Sequence, residues 1–320
     1  MSSSRHIVRV NSSTEERNPR TVEIDTLPSI GVLELLNAED QRVAEVLERA
    51  LPSIAVAVDA AVDRYEAGGT MHYFGAGTSG RIGVMDAAEI PPTFSASSDL
   101  FVAHHAGGEA AAERAIEAAE DDIGLGHLSA ANVGPNDVAI GLTASGRTPY
   151  VLGALRTAKE AGAFTVLISS HAEGDIADIV DVHVFLDTGP EAIAGSTRLK
   201  AGTAQKLAVN SFSTALMIRV GKTYSNLMVD VAPTNAKLRG RVLGILEEAT
   251  GADSDESAAA LEAAGGDTKT ALVSLTTGAA PDEARAALDA ADGRVREAVD
   301  ALGSANPQTK TSTAQETTTN

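Results

Sequence analysis

Two copies of one tripeptide carry the first chemical signal in this chain. Ser79-Gly80-Arg81 closes the run from Met71 to Thr78, and Ser145-Gly146-Arg147 closes the run from Val138 to Ala144. Both runs are apolar, and both tripeptides are followed by helix-like sequence. A strand that turns through glycine and small hydroxyl residues into a helix N-terminus presents free backbone N–H groups and the positive end of the helix dipole. That combination binds an anion such as a phosphate. Gly77, Thr78, Ser79 and Gly80 supply amides and hydroxyls in the first turn; Ser145, Gly146, Arg147 and Thr148 supply them in the second. A single turn of this kind could merely exploit the freedom of glycine. The duplication points instead to one phosphorylated ligand held by two adjacent loops. A third polar loop, Gly195 to Thr203, also precedes a helix and adds Ser196 and Thr197. Its cations, Arg198 and Lys200, could bind an anionic group or neutralise neighbouring acids.

Two carboxylates stand out near these loops. Glu89 precedes Pro91-Pro92, and the helix after the first turn is expected to end there, because a residue before proline is pushed out of helical geometry. At a breaking helix end the dipole disfavours an ionised carboxylate and favours its acid form. Ten residues of straight helix place Glu89 about 15 Å from Ser79, too far for one small ligand to span. Either the helix breaks early, or Glu89 serves a site assembled with another element or subunit, the reading preferred here. Glu120 lies in a predicted helix over 108–122, at the margin of a stripe formed by Ala112, Ile116, Ala119 and Ile123, where it can face a cleft. Glu117 is predicted to face solvent, and Glu109 to complement the first-turn dipole.

Other chemistries are excluded. Gly75-Ala76-Gly77-Thr78-Ser79-Gly80 matches the dinucleotide fingerprint, but the following strand ends in His104-His105-Ala106-Gly107-Gly108 without the acid that would hold a ribose, unless Glu109 substitutes for it. Arg81 stands where a P-loop needs lysine. The seven histidines have no metal-ligand spacing, so no metal and no cofactor are assigned. His104 and His105, adjacent in a strand, point to opposite faces.

The elements that must position these residues alternate. Strands are predicted at about 71–75, 100–105, 137–142, 164–169 and 182–186, with helices at about 80–89, 108–122, 149–161 and 174–180. Continuous apolar strands alternating with helices indicate an α/β fold, a doubly wound and mostly parallel sheet flanked by helices. Ligands of such sheets bind beyond the carboxyl ends of the strands. A helix over 39–67 is predicted from Val43, Val46, Leu47, Leu51, Ile54, Ala55 and Val58, and another over about 203–220. The expected organisation is an N-terminal arm (1–38), an α/β domain carrying the phosphate-binding turns (39–234), a small helical cap (235–303, broken near Thr250-Gly251 and Gly265-Gly266) and a disordered tail (304–320).

Composition narrows the setting. The net charge of −19 argues against nucleic acid as a partner. Only 7 of the 25 cationic residues are lysine, and a solvated acidic surface suits concentrated salt, where screening relieves self-repulsion. There is no apolar run of about 18 residues, no signal-peptide pattern and no cysteine. A cytoplasmic protein without disulfides or membrane span is expected.

At these residues the chain resembles the N-acetylmuramic acid 6-phosphate etherases, of the sugar isomerase (SIS) fold. The resemblance runs over about residues 14 to 303. It is carried by Thr14-Glu15-Glu16-Arg17-Asn18-Pro19, Gly75 to Arg81, Asp86-Ala87-Ala88-Glu89-Ile90-Pro91-Pro92-Thr93, Ala106-Gly107-Gly108-Glu109 and Ala119-Glu120-Asp121. Ala144 to Tyr150, Gly195 to Lys206 and Asn226-Leu227-Met228-Val229-Asp230 complete the series. The resemblance implies cleavage of a D-lactyl ether at sugar C3, with Glu89 and Glu120 as the catalytic pair. It also implies a homodimer with its site at the subunit interface, and no metal or cofactor. On this reading Glu89 is the acid for the leaving lactate and Glu120 the second acid/base, with the residue that takes the C2 proton left open. The same fold would serve an aldose–ketose isomerase or a sugar-phosphate sensor, though two retained glutamates argue against pure sensing.

Overall fold

The computed structural model describes residues 12–114, 116–231 and 236–303; the expected tail 304–320 and the first eleven residues of the arm lie outside them. In chain order the helices and strands are α1 (Ser29–Asp40), α2 (Val43–Glu66), β1 (Met71–Gly75), α3 (Gly77–Phe94), β2 (Phe101–His105), α4 (Ala110–Glu113), α5 (Ile123–Ser129), β3 (Val138–Thr143), α6 (Pro149–Glu160), β4 (Phe164–Ser169), β5 (Val182–Phe185) and α7 (Lys200–Arg219). Five further helices follow: α8 (Ala236–Thr250), α9 (Ser254–Ala263), α10 (Thr268–Thr277), α11 (Pro281–Ala290) and α12 (Val295–Leu302).

The five strands form one sheet in the order β2-β1-β3-β4-β5, every pairing parallel. Parallel neighbours need crossovers; helices lie in all of them but the last, where turns lead from β4 to β5. β1 and β3 are buried along their whole length, which explains their unbroken apolar sequence. Phe74, Ala139 and Leu167 pack with Tyr150, Val151, Ala154 and Leu155 of α6 in one core. Along α2, Val43, Val46, Ile54 and Val58 are buried as their spacing predicts, but Leu51 faces outward.

The chain divides into two units, one holding 97–216 with the residues up to 90, the other 91–96 with the residues from 217. The second unit has its own core, including Val242, Leu246, Leu261, Leu272, Leu288 and Val299. Its α9 and α10 are capped by Asp253 and Asp267, whose carboxylates accept the amides of Glu256 and Thr270. The breaks between α8, α9 and α10 fall beside the two glycine positions read from sequence. No helix of the described residues is long and apolar enough to cross a membrane.

Three predicted helices are corrected. The helix after β1 starts earlier, at Gly77, and continues through Pro91 and Pro92 to Phe94. The prolines remove the N–H partners of the Ala87 and Ala88 carbonyls, a penalty of about 3 kcal/mol for an interior proline. Burial of Ile90 and Phe94 on either side offsets it. The helix over 108–122 does not form. Among the described residues of that stretch, only α4 and a short 3₁₀ turn, Glu117–Ala119, are helical. Asp122 instead caps α5, its side chain accepting the Leu125 amide at 2.9 Å, and a cap at that position starts a new helix. The supposed buried stripe fails with it, since Ile116 and Ile123 are 41% and 37% exposed. Residues 174–180 form separate turns, with Gly174 at φ 143°.

Candidate active site

β1 and β3 are sheet neighbours, but the chain leaves β1 towards β2 and leaves β3 towards β4, on opposite sides. Between strands that diverge in this way a crevice opens at the carboxyl edge, the position where open parallel sheets take ligands. The two Ser-Gly-Arg turns follow these two strands.

The first turn is α3's own beginning. Gly77 adopts φ 53°, a left-handed conformation that glycine enters without penalty. Gly80 must lack a side chain, because a Cβ there would lie 2.3 Å from His105 Cδ2 and 2.6 Å from the Gly75 oxygen. His105 Nε2 lies 3.1 Å from the Gly77 carbonyl and, as donor, holds the turn from β2. Ser79 is buried, and its hydroxyl donates to Gln205 Oε1 of α7 at 2.8 Å.

The second turn is a chain of hydroxyls. Thr148 Oγ1 donates to Glu120 Oε1 at 3.4 Å. A hydroxyl has one proton, so Thr143, 2.8 Å from Thr148, donates to it, and Ser145 donates to Thr143 at 3.3 Å. The Arg147 amide in turn donates to Ser145 Oγ at 3.3 Å. Gly146 has φ 68°. The Arg147 guanidinium turns away to the β4 side, where it donates to His171 Nε2 at 3.0 Å and lines a cavity of about 290 Å³ with Leu152, Gly174, Asp175 and Ile176. Burial and the neighbouring Arg147 charge hold the His171 imidazole below its usual range, which keeps Nε2 an acceptor.

Main-chain contact brings Glu120 here. A Cβ on Gly126 of α5 would lie 2.0 Å from the Tyr150 oxygen, and one on Gly153 of α6 would lie 2.2 Å from the Ile123 oxygen. α5 and α6 therefore touch backbone to backbone. Glu120 precedes α5 and Thr148 precedes α6, so this contact sets one beside the other, and the Tyr150 amide donates to the Glu120 carbonyl at 3.1 Å.

The third loop lies against the first turn: a Cβ on Gly202 would meet the Thr197 oxygen at 3.3 Å and Thr78 Cγ2 at 3.4 Å. Ser196 and Thr197 are half-buried in this loop. Lys200 is corrected as an anion ligand. It is 1% exposed, and its Nζ donates to Glu39 Oε2 at 2.6 Å and to the Pro190 oxygen at 2.7 Å. The start of α7 is occupied too. The buried Glu191 carboxylate accepts the Lys200 and Ala201 amides at 3.0 and 2.9 Å, although burial raises its pKa against the effect of those amides. Glu39 is shared with Arg20, whose guanidinium reaches both its oxygens. Residues 12–21 thereby fasten this loop, with further bonds from Asn18 to Pro190 and from Thr21 to Ala192.

Glu89 stands apart. The unbroken α3 excludes an early helix break, and Glu89 lies five residues before the helix end, so the argument from a terminal dipole does not apply to it. It is exposed, ten residues and about 15 Å along the helix from Ser79. Sequence reasoning missed Gln205 and Glu191 altogether. Their only local signals are a polar residue one turn into α7 and an acid nine residues before Lys200.

A five-stranded parallel sheet with its switch point between two hydroxyl-rich turns is a doubly wound α/β domain, and two family models match it as a sugar isomerase (SIS) domain. Residues 53–159 match the glucokinase regulatory protein N-terminal SIS domain, and residues 113–215 match the SIS domain. The chain is 57% identical over 266 residues to N-acetylmuramic acid 6-phosphate etherase of Thermobifida fusca, covering 83% of this chain and 88% of that protein. It is 52% identical over 264 residues to the enzyme of the same name from Cutibacterium acnes, covering 82% and 87%. The chain belongs to the N-acetylmuramic acid 6-phosphate etherase family.

Proposed function

We propose that this protein cleaves the D-lactyl ether of N-acetylmuramic acid 6-phosphate, releasing N-acetylglucosamine 6-phosphate and D-lactate. The observation that carries the reading is Glu120 bonded to Thr148 inside a turn that faces a second, matching turn across the switch point. In this reading the turns at Gly77–Gly80 and Ser145–Thr148, with Ser196 and Thr197 beside them, hold the phosphate and sugar. In this reading residues 39–234 carry the site and 235–303 form a separate helical domain. The acidic surface suits work in concentrated salt.

The open-chain aldehyde acidifies the C2 proton. A carboxylate removes it, the C3–O bond breaks, and the departing lactate oxygen takes a proton from the acid. Water then adds at C3 of the unsaturated aldehyde and a proton returns to C2. Glu89 is the acid for lactate and Glu120 the base that activates water. Incubation in ¹⁸O water tests the route: label at sugar O3 and none in the lactate ether oxygen is expected. Label in lactate, or formation of a ketose instead of lactate, would refute it.

The site is shared between two copies of the chain. Glu89 is too far along α3 to meet a sugar held at its own Ser79. On the same face, one turn earlier, Met85 is 44% exposed, an apolar side chain suited to cover by a second subunit. Mixing Glu89→Gln with Glu120→Gln decides this. In a shared site the mixed dimer has one intact centre, so subunit exchange restores about a quarter of full activity. No recovery would show that both glutamates act within one chain.

A further inference from the structure

Gln205 is 1% exposed, and its Oε1 accepts the Ser79 hydroxyl at 2.8 Å. Its Nε2 is buried and has no hydrogen-bond partner among the described residues. A buried N–H without an acceptor is costly and uncommon. The arrangement has a second consequence: the single proton of Ser79 is directed at Gln205, so Ser79 has none to offer an oxyanion.

Rotating the carboxamide by half a turn about Cγ–Cδ resolves both points. Nε2–H then donates to Ser79 Oγ, and the Ser79 O–H is released to donate to a ligand oxygen. The Gln205–Ser79 bond is retained with its direction reversed. The unpaired atom becomes a carbonyl oxygen, which proteins tolerate better than an unpaired N–H. With the ligand in place one hydrogen bond is gained. We propose that Gln205 is a positioning residue that sets the donor direction of Ser79, carbonyl towards the serine in the free protein and amide towards it when the sugar phosphate is bound. This rests on the reading of the first turn as part of the sugar-phosphate site.

Steady-state kinetics with N-acetylmuramic acid 6-phosphate on Ser79→Ala, Gln205→Met and the double variant test it. Methionine keeps the length of the side chain without its donors. Gln205→Met is expected to raise KM about tenfold, the scale of one hydrogen bond to a charged group, with kcat within about twofold. Because Gln205 acts through Ser79, the double variant should lose no more than Ser79→Ala alone. Gln205→Glu supplies a second arm. A carboxylate only accepts and holds the Ser79 proton permanently, so its KM should exceed that of the methionine variant; a purely structural tie to Ser79 predicts the opposite order. Multiplying losses in the double variant, or a fall in kcat at constant KM, would overturn the proposal. An unchanged KM in Ser79→Ala would instead refute the placement of the first turn in the site, and the role of Gln205 with it.

Discussion

The Thr148 hydroxyl holds one proton, and that proton goes to Glu120. Valine at this position keeps the shape and removes the donor. Hydrogen bonds to charged groups contribute about 1.5–3 kcal/mol, so Thr148→Val should lower kcat roughly tenfold or more with circular dichroism unchanged. A variant with wild-type kcat would mean that Glu120 needs no such tether. Single residues were also where sequence reading was least informed. Ser79, Ser145 and Thr148 announce themselves because small hydroxyls cluster with glycine after a strand. Their partners do not. Gln205 lies 126 residues from Ser79, and nothing in an isolated α7 sequence distinguishes it from a solvated glutamine. Lys200 looked like an anion ligand for the same reason: its true partner, Glu39, is 161 residues away.

At the scale of elements, the strands were legible because buried parallel strands leave an unbroken apolar trace. All five lie within a residue or so of their predicted positions. Helices whose existence depends on capping or burial were harder. The Ala-rich stretch 108–122 has high helix propensity, yet Asp122 caps α5 and divides it. The Pro91-Pro92 pair predicts a stop, yet flanking burial carries α3 through it. The α5–α6 contact rests on Gly126 and Gly153, which have no substitute. Gly153→Ala would put a methyl 2.2 Å from the Ile123 oxygen, forcing α5 away. Overpacking of this kind typically destabilises by about 1–3 kcal/mol. A lower urea midpoint is expected, together with a loss of kcat in the folded enzyme, because Glu120 moves with α5. A stability loss with kcat intact would separate the two roles.

At the scale of the whole molecule, part of the pH dependence arises away from the proposed site. His72 and His104 stack on β1 and β2, with Nδ1 of one 3.0 Å from Nε2 of the other. Burial lowers both imidazoles, against the raising effect of Asp137 on His72; the His72 charge lowers His104 further, to about 4. An unfolded histidine titrates near 6.5. Between about pH 6.5 and 4 the unfolded chain therefore binds more protons than the native one, so stability is full above that window and declines through it. Glu39 adds a second, lower window. Arg20 and then Lys200, acting against burial, hold its carboxyl at about 2, so its contribution is present above about pH 4.5 and lost towards 2. Urea midpoints should fall between about pH 7 and 4.5, and His104→Phe should flatten that first decline. An unchanged slope in the variant would place the acid sensitivity elsewhere.

Glu191 gives the carboxyl edge of the sheet an asymmetry with a consequence for ligand choice. Three loops there run into helix N-termini, and the last already holds an anion contributed by the chain itself. A tethered carboxylate at full effective concentration competes with any free phosphate for those amides. With the first two turns holding the phosphate as proposed, the amides at the start of α7 offer no place for a second one, because Glu191 already accepts them.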